Sequence, residues 1–362
     1  MMTSAAEPDA AGVQDDAVTR AFRLSPRALT MAVAVLVGAL MVSISSGAAG
    51  LPVDSVLAAL LDRIPGLGFD SGLSTRQESI LFQIRMPRMV LGALVGASLG
   101  MAGASYQGVF RNPLADPYLL GVSAGAGFGA SLALGVGLDI GWGPFGAVPA
   151  AAFVGALVAV TGSAVVARGG GRSPATLLLA GVAMAALFSA SQTFVLTRLS
   201  EGQAREVLSW LFGQLNASGW GQVAILGPYV AGCGLVLMVH RRHLDVLRVG
   251  DDEAASLGLD PIRVRVVVIV AASLLTAAAV SVSGLIAFVG LVVPHIVRVL
   301  VHHSYRVVVP LSGLVGAAFL VIVDVAARTV VAPAELPVGV ITAFVGAPFF
   351  ALVLWRGGRV EA

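Results

Sequence analysis

The 362-residue sequence contains no lysine: all 22 of its basic residues are arginine. A nucleotide-binding loop of the Gly-x-x-x-x-Gly-Lys-Ser/Thr type needs its lysine to reach the terminal phosphates, so no such loop can be built from this chain. If ATP drives what this chain does, the nucleotide must be hydrolysed on another polypeptide. Cysteine is almost absent as well. Cys233 stands alone within an apolar run, which excludes an intrachain disulfide and a thiolate metal site. Charge is scarce, at 12% of residues against 57% hydrophobic, and that balance excludes a water-soluble domain. Neither catalytic residues nor a metal site are expected.

What the chain does have is apolar runs long enough to cross a hydrocarbon layer of about 30 Å. They fall at 28–49, 88–108, 119–138, 145–167, 175–197, 221–240, 264–282, 284–301, 309–327 and 338–355. The fold class expected is therefore all-α: a polytopic bundle of about ten transmembrane helices in the lipid bilayer, with breaks around Gly284, Gly290 and Pro294. Arg20, Arg23 and Arg27 precede the first run and predict a cytosolic N-terminus, and an even number of crossings returns Arg356 and Arg359 to the same side. Residues 1–27 read as a disordered acidic cytosolic tail, without the basic start of a signal peptide, and residues 28–357 as one transmembrane domain.

Between two runs lies a polar segment, Gly250 to Pro261, flanked by Arg241, Arg242 and Arg248 before it and Arg263 and Arg265 after it. Asp251, Asp252 and Glu253 place negative charge where a helix start favours it. Ala254, Ala255, Ser256 and Leu257 extend the helix, and Gly258 supplies a left-handed stop. Pro261 is expected to prevent any restart. Ala254, Leu257 and Gly258 would share one face, a small apolar surface beside an acidic end. On the predicted topology this helix is cytosolic, where a driving partner could receive it.

The other informative stretch runs from Arg85-Met-Pro-Arg88 to Gly129. Gly92, Gly96 and Gly100, then Gly121, Gly125 and Gly129, form small-residue stripes that permit close helix approach. Between them, Arg111-Asn-Pro-Leu-Ala-Asp-Pro117 puts two prolines and a polar cluster at the cytosolic membrane edge. Irregular backbone at that depth lines a cavity or is buried in protein; it also fits a tight interhelical turn. The Gly125-Ala-Gly-Phe-Gly129 run follows no strand and is not read as a nucleotide loop. His295, alone in a broken run, is expected to be packed. Asp324 and Arg328, four apart on one helix, suit an ion pair, although Asp324 is also the residue that would relay an ion in a carrier.

The run RMPR…QGVFRNPLADPYLLGVSAGAG, with WLFGQLNASGW at 210–220, DDEAASLGLD at 251–260, GLIAFVGLVVPHIVR at 284–298 and ELPVGVITAFVGAPFFALVLWR at 335–356, resembles the iron-chelate and vitamin B12 permease family (FecCD-type) of bacterial ABC importers. The resemblance covers roughly residues 28–357. It implies a vitamin B12-permease-like bundle that pairs with a second permease subunit, a homodimer being the simplest case. Two cytosolic ABC ATPase subunits would carry ATP and magnesium, an extracytoplasmic binding protein would deliver substrate, and no nucleic acid would be involved.

Carried over residue by residue, the resemblance makes the segment at about 250–261, with Asp251, Asp252, Glu253, Ala254, Ser256, Leu257 and Gly258, the ATPase-coupling element. It makes Arg85, Arg88 and Arg328 docking residues for the binding protein. Asn112, Pro113 and Leu114 match a cytosolic gate, with Ser173 and Pro174 as the opposing element. Trp210, Gly213, Asn216 and Trp220 resemble an outer re-entrant cap. The cargo it implies is a ferric siderophore first, then haem, then cobalamin. The reading of another class is an ion-coupled secondary transporter working alone, with Asp324 as its relay.

Overall fold

A computed structural model describes residues 24–47, 51–63, 70–138, 146–170, 173–215 and 219–357. Residues 1–23, most of the expected tail, and Asn216 of the expected cap lie outside the described residues. The described chain is helical, with no strand among the described residues. We number the helices α1 (Pro26–Ser45), α2 (Val53–Asp62), α3 (Thr75–Val109), α4 (Val122–Val136), α5 (Ala147–Gly169), α6 (Pro174–Leu196), α7 (Glu201–Leu211), α8 (Trp220–Leu247), α9 (Asp251–Ser256), α10 (Pro261–Ser283), α11 (Val289–Leu300), α12 (Tyr305–Thr329) and α13 (Val338–Gly357). Seven of these, α1, α3, α5, α6, α8, α10 and α12, are long and apolar enough to cross a membrane, and α4, α11 and α13 contribute shorter apolar stretches. Together they follow the ten expected runs in order.

Local chemistry sets most helix starts. Ser25 Oγ accepts the Ala28 amide at 3.1 Å ahead of Pro26, and Ser173 Oγ accepts the Thr176 amide at 3.1 Å ahead of Pro174. Both are side-chain caps followed by the residue whose missing N–H costs nothing there. Pro261 works the same way. Instead of preventing a restart it opens α10, with Asp260 Oδ1 accepting the Arg263 amide at 3.0 Å. The proline sits at the first helical position, where it is favoured.

The centre of the bundle is α3, buried along most of its length, while α6 and α8 are largely exposed. Packing around α3 is backbone to backbone. A methyl placed on Gly96 or Gly100 would overlap the carbonyl of Gly316 or Ser312 on α12, and one on Gly103 would overlap the Gly290 carbonyl on α11. Gly125 and Gly129 make the same approach to Gly155 and Ala151 on α5. Small residues allow this contact between apolar helices in lipid, where no hydrophobic driving force separates helix from solvent.

Of the three predicted breaks, the one at Gly284 is found and those at Gly290 and Pro294 are not, since both residues lie inside α11. The chain leaves helical geometry over 284–288, from Gly284 at φ +68° to Phe288 at φ +69°. Pro294 instead lies inside α11 without ending it. His295 sits edge-on to Phe349, with ring centroids 5.8 Å apart, the packed role expected of it.

Candidate functional site

At one end of the bundle α8 turns through α9 into α10. Gly250 adopts φ +132°, and the Glu253 carboxylate folds back over it, so any side chain there would overlap that carboxylate. The helix ends as its sequence predicts. Gly258, at φ +82°, donates to the Ala255 carbonyl at 2.9 Å and Leu259 donates to Ala254 at 3.1 Å, the paired bonds of a Schellman stop. The expected apolar face is divided, however. Ala254 is fully buried in the core and unavailable to any partner, whereas Leu257 is 71% exposed and Gly258 is open. Val249, just before α9, is 60% exposed, and Ile262, just after it, is 58% exposed. A six-residue helix has too few turns for periodicity to fix its phase; packing of Ala254 fixes it here. Asp252, Glu253 and Ser256 are exposed beside these apolar side chains.

Asp251 is bound rather than free. Arg265 donates to its two carboxylate oxygens at 2.7 and 2.5 Å, and Arg111 forms a second ion pair with it. Arg111 belongs to the α3–α4 connection, so this one carboxylate joins that connection to α9 and α10. Nearby, Asp245 of α8 accepts the Ser304 hydroxyl at 2.6 Å and the Tyr305 amide at 2.7 Å, capping α12 from another helix. Arg248 donates to the His303 carbonyl at 3.2 Å. Sequence reasoning missed Asp245 and Arg111, because both act on residues far away in the chain.

The α3–α4 connection is anchored at one end and open at the other. Pro117 packs on Gly290, and the Tyr118 hydroxyl donates to the Ile286 carbonyl at 2.9 Å and accepts the Ile286 amide at 3.2 Å. It thereby satisfies backbone groups that the 284–288 break leaves unpaired. Asp116 Oδ1 accepts the Tyr118 amide at 2.8 Å, and burial pushes its carboxyl up to about 6. The Asn112 carboxamide oxygen accepts the Leu114 amide at 2.9 Å, and Pro113 and Leu114 are exposed. Ser173 and Pro174, the expected opposing element, are the cap and first residue of α6 and make their hydrogen bonds locally.

At the opposite end, Arg85, Arg88 and Arg328 are brought together and turned inward. Asp324 is 1% exposed and pairs with Arg88 at 2.9 Å and Arg328 at 3.1 Å. Arg88 also forms a two-pronged pair with Glu335 at 3.1 and 2.9 Å. Arg328 donates to the Ser43 and Ser46 carbonyls, and Arg85, itself buried, donates to the Ile44 carbonyl at 2.8 Å. The pairing of Asp324 with Arg328 is the one their spacing predicted. The other partners make these guanidinium groups part of the bundle's own packing. Glu335 is the open edge, with a side chain 40% exposed beside a small cavity lined by Arg88, Gln214 and Pro337.

Trp210 and Gly213 lie in a segment stitched into broken backbone. The Phe212 and Gly213 carbonyls accept the Gly339 and Val338 amides at 3.1 and 3.0 Å, and the Gln214 amide donates to Ser283 at 2.8 Å. Gly213, at φ +71°, leaves no room for a side chain against Leu285, and Gly284 leaves none against Trp210. The segment after α7 therefore plugs the gap between the end of α10 and the start of α13. Trp220 is elsewhere. Its indole donates at 2.9 Å to the Phe82 carbonyl, in the π-helical turn Ile80–Arg85 of α3.

This architecture has known counterparts. Residues 34–356 match the FecCD transport family. The chain is 39% identical over 337 residues to the ABC transporter permease protein YvrB of Bacillus subtilis (strain 168), covering 91% of this chain and 93% of that protein. It is 44% identical over 292 residues to the cobalamin import system permease protein BtuC of Halobacterium salinarum, covering 80% and 77% respectively. Among solved structures it resembles an inward-facing conformation of a metal-chelate type ABC transporter, with a TM-score of 0.80 and 28% identity over 92% of this chain and 100% of that one.

Proposed function

The chain belongs to the FecCD transport family and is a multi-pass permease subunit of an ABC importer; from that premise we propose that it passes an iron chelate, a ferric siderophore first, into the cytoplasm on the power of a separate ATPase. The observation that carries this reading is α9. An acidic helix start with Leu257, Val249 and Ile262 exposed around it is a knob with no receiver among the described residues, and a chain without lysine builds no P-loop of its own. Two ATPase subunits holding ATP and magnesium would receive α9 of each permease through Asp252, Glu253, Ser256, Leu257 and Gly258. Asp251 would hold the helix in place rather than contact the partner.

The same reading puts both termini and α9 on the cytosolic side, and makes Asn112, Pro113 and Leu114 the cytosolic constriction. The exposure of Pro113 and Leu114 beside the anchored Asp116–Tyr118 turn supports that role. A second permease copy would cover part of the exposed apolar surface of α6, where Leu179, Val182, Leu187 and Phe194 face outward. An extracytoplasmic binding protein would dock on the rim around Arg85, Arg88 and Arg328, with Glu335 the part of that cluster open to it. The segment with Trp210 and Gly213 would close the pathway from above. A carrier working alone through Asp324 is disfavoured, because two arginines already hold that carboxylate. The second cargo reading is cobalamin, favoured by the 44% identity to a cobalamin permease.

The test is uptake into vesicles carrying the assembled transporter, with labelled ferric siderophore, haem and cobalamin compared. Uptake should require ATP and fall about tenfold or more in Leu257→Glu, which places a charge in the contact that carries the drive. Wild-type uptake in that variant would overturn the coupling role of α9. Transport without any ATPase subunit would overturn the importer reading for this chain.

A further inference from the structure

Arg111 occupies a position that its residue type does not suit. It ends α3 at φ +50°, with its amide bonded to the Gly108 carbonyl at 3.3 Å and the Asn112 amide to Gln107 at 3.2 Å. That is a Schellman stop whose left-handed residue is ordinarily glycine, and an L side chain there costs about 1–2 kcal/mol. What the side chain gains is the ion pair with Asp251, with both partners more than a third exposed. Such an exposed pair contributes about 0–1 kcal/mol. Partial burial and the neighbouring Arg265 charge push the Arg111 guanidinium below its ordinary value, and Glu253 opposes them. On these magnitudes the fold is no more stable with arginine here than with glycine, so stability does not account for it.

What Arg111 does is connect. Its backbone immediately precedes half-buried Asn112 and the exposed Pro113 and Leu114 of the α3–α4 connection. Its guanidinium holds the carboxylate that Arg265 fixes between α9 and α10. Pro117 packs the far side of the connection on Gly290 of α11, and Tyr118 ties it to the 284–288 break, so displacement of α9 acts on the near side. We infer that Arg111 is a positioning residue that carries movement of α9 to Asn112–Leu114 through Asp251. The inference rests on the proposed reading of α9 as the ATPase contact.

The test needs no knowledge of the cargo. In the complete transporter, with Cys233→Ser as background, Leu114→Cys serves as a reporter for a water-soluble maleimide. Its labelling rate is measured without nucleotide and after trapping with ATP and vanadate. With Arg111 present the two rates should differ about fivefold or more. Arg111→Gly should keep assembly and ATP hydrolysis, melt no lower than the parent, and reduce the difference below about twofold. Arg111→Lys, which keeps a cation, should recover most of it. An undiminished difference in Arg111→Gly overturns the inference. So does an undiminished difference in Arg111→Gln, which keeps an L residue at the turn without the cation and would assign the effect to the turn rather than to the ion pair. Leu257→Glu separates the two readings: if its nucleotide-dependent labelling persists, the α9 reading has failed, whereas if labelling fails there but persists in Arg111→Gly, only the role of Arg111 has.

Discussion

Replacing Asp324 with leucine tests how the outer ion cluster is held. The carboxylate is almost fully buried and neutralises two arginines at 2.9 and 3.1 Å. Without it Arg88 retains Glu335, but Arg328 is left with backbone carbonyls and the Ser43 hydroxyl, none of which carries charge. Breaking a buried pair by removing one partner costs about 3–5 kcal/mol, because the other charge stays desolvated. Replacing both members with apolar residues of similar volume is often close to neutral. Asp324→Leu with Arg328→Leu should therefore be more stable than Asp324→Leu alone by about 2 kcal/mol or more. The residual loss in the double variant reflects the Arg88 contact with Asp324. The assay is reversible unfolding of the purified permease in mixed micelles, run on the parent, both single variants and the double. A double variant less stable than Asp324→Leu would refute the argument, as would an Asp324→Leu chain as stable as the parent.

Two further outcomes rest on packing and burial. Gly103→Ala should lose about 1–3 kcal/mol in the same unfolding assay, because its methyl meets the Gly290 backbone and not a side chain that can turn away. Gly38→Ala, with nothing within 4 Å, should be neutral or stabilising by up to about 1 kcal/mol; equal losses at the two sites would remove close helix contact as the cause. The Asp116 carboxyl, raised from 3.8 to about 6 by burial, makes the folded chain bind more protons than the unfolded chain between those values. Stability conferred by this group is therefore full below about pH 4 and falls as pH rises to about 6. Asp116→Asn should remove that dependence and melt higher at pH 7.5, by the equivalent of about 1–2 kcal/mol for a partly exposed group, and a melting profile parallel to the parent's would refute it.

The helices were legible because apolar length, capping serines and prolines act within a few residues. Ser25, Ser173 and Gly258 do what their neighbours predict. What could not be read depends on distant partners. Nothing near Arg88 in the sequence shows that it will meet Asp324, 236 residues away, so its expected outward role gave no hint of an inward one. Asp245 is equally silent, since the helix it caps starts 60 residues later. Pro261 was misread for a subtler reason: the residue that bars a helix from continuing is also the one best suited to begin the next. At α9 the split between buried Ala254 and exposed Leu257 arose from packing, which composition cannot place.

These contacts divide the bundle into parts that can and cannot shift independently. Where α3 meets α11 and α12, glycine backbones touch with no side chain between them, so relative sliding would have to move whole helices. The 284–288 break is not a free hinge: Tyr118 satisfies it from one side, and the segment containing Gln214 bonds to its border at Ser283. A hinge needs residues free to change φ and ψ, and these are held by hydrogen bonds and by contacts that exclude even a methyl group. The α9 end is built differently. There Leu257 is open, the link to the α3–α4 connection is a half-exposed ion pair, and Pro113 and Leu114 project past the anchored turn. Movement imposed on α9 therefore meets least resistance along Asp251 and Arg111, and reaches the projecting residues before it disturbs the glycine-packed core.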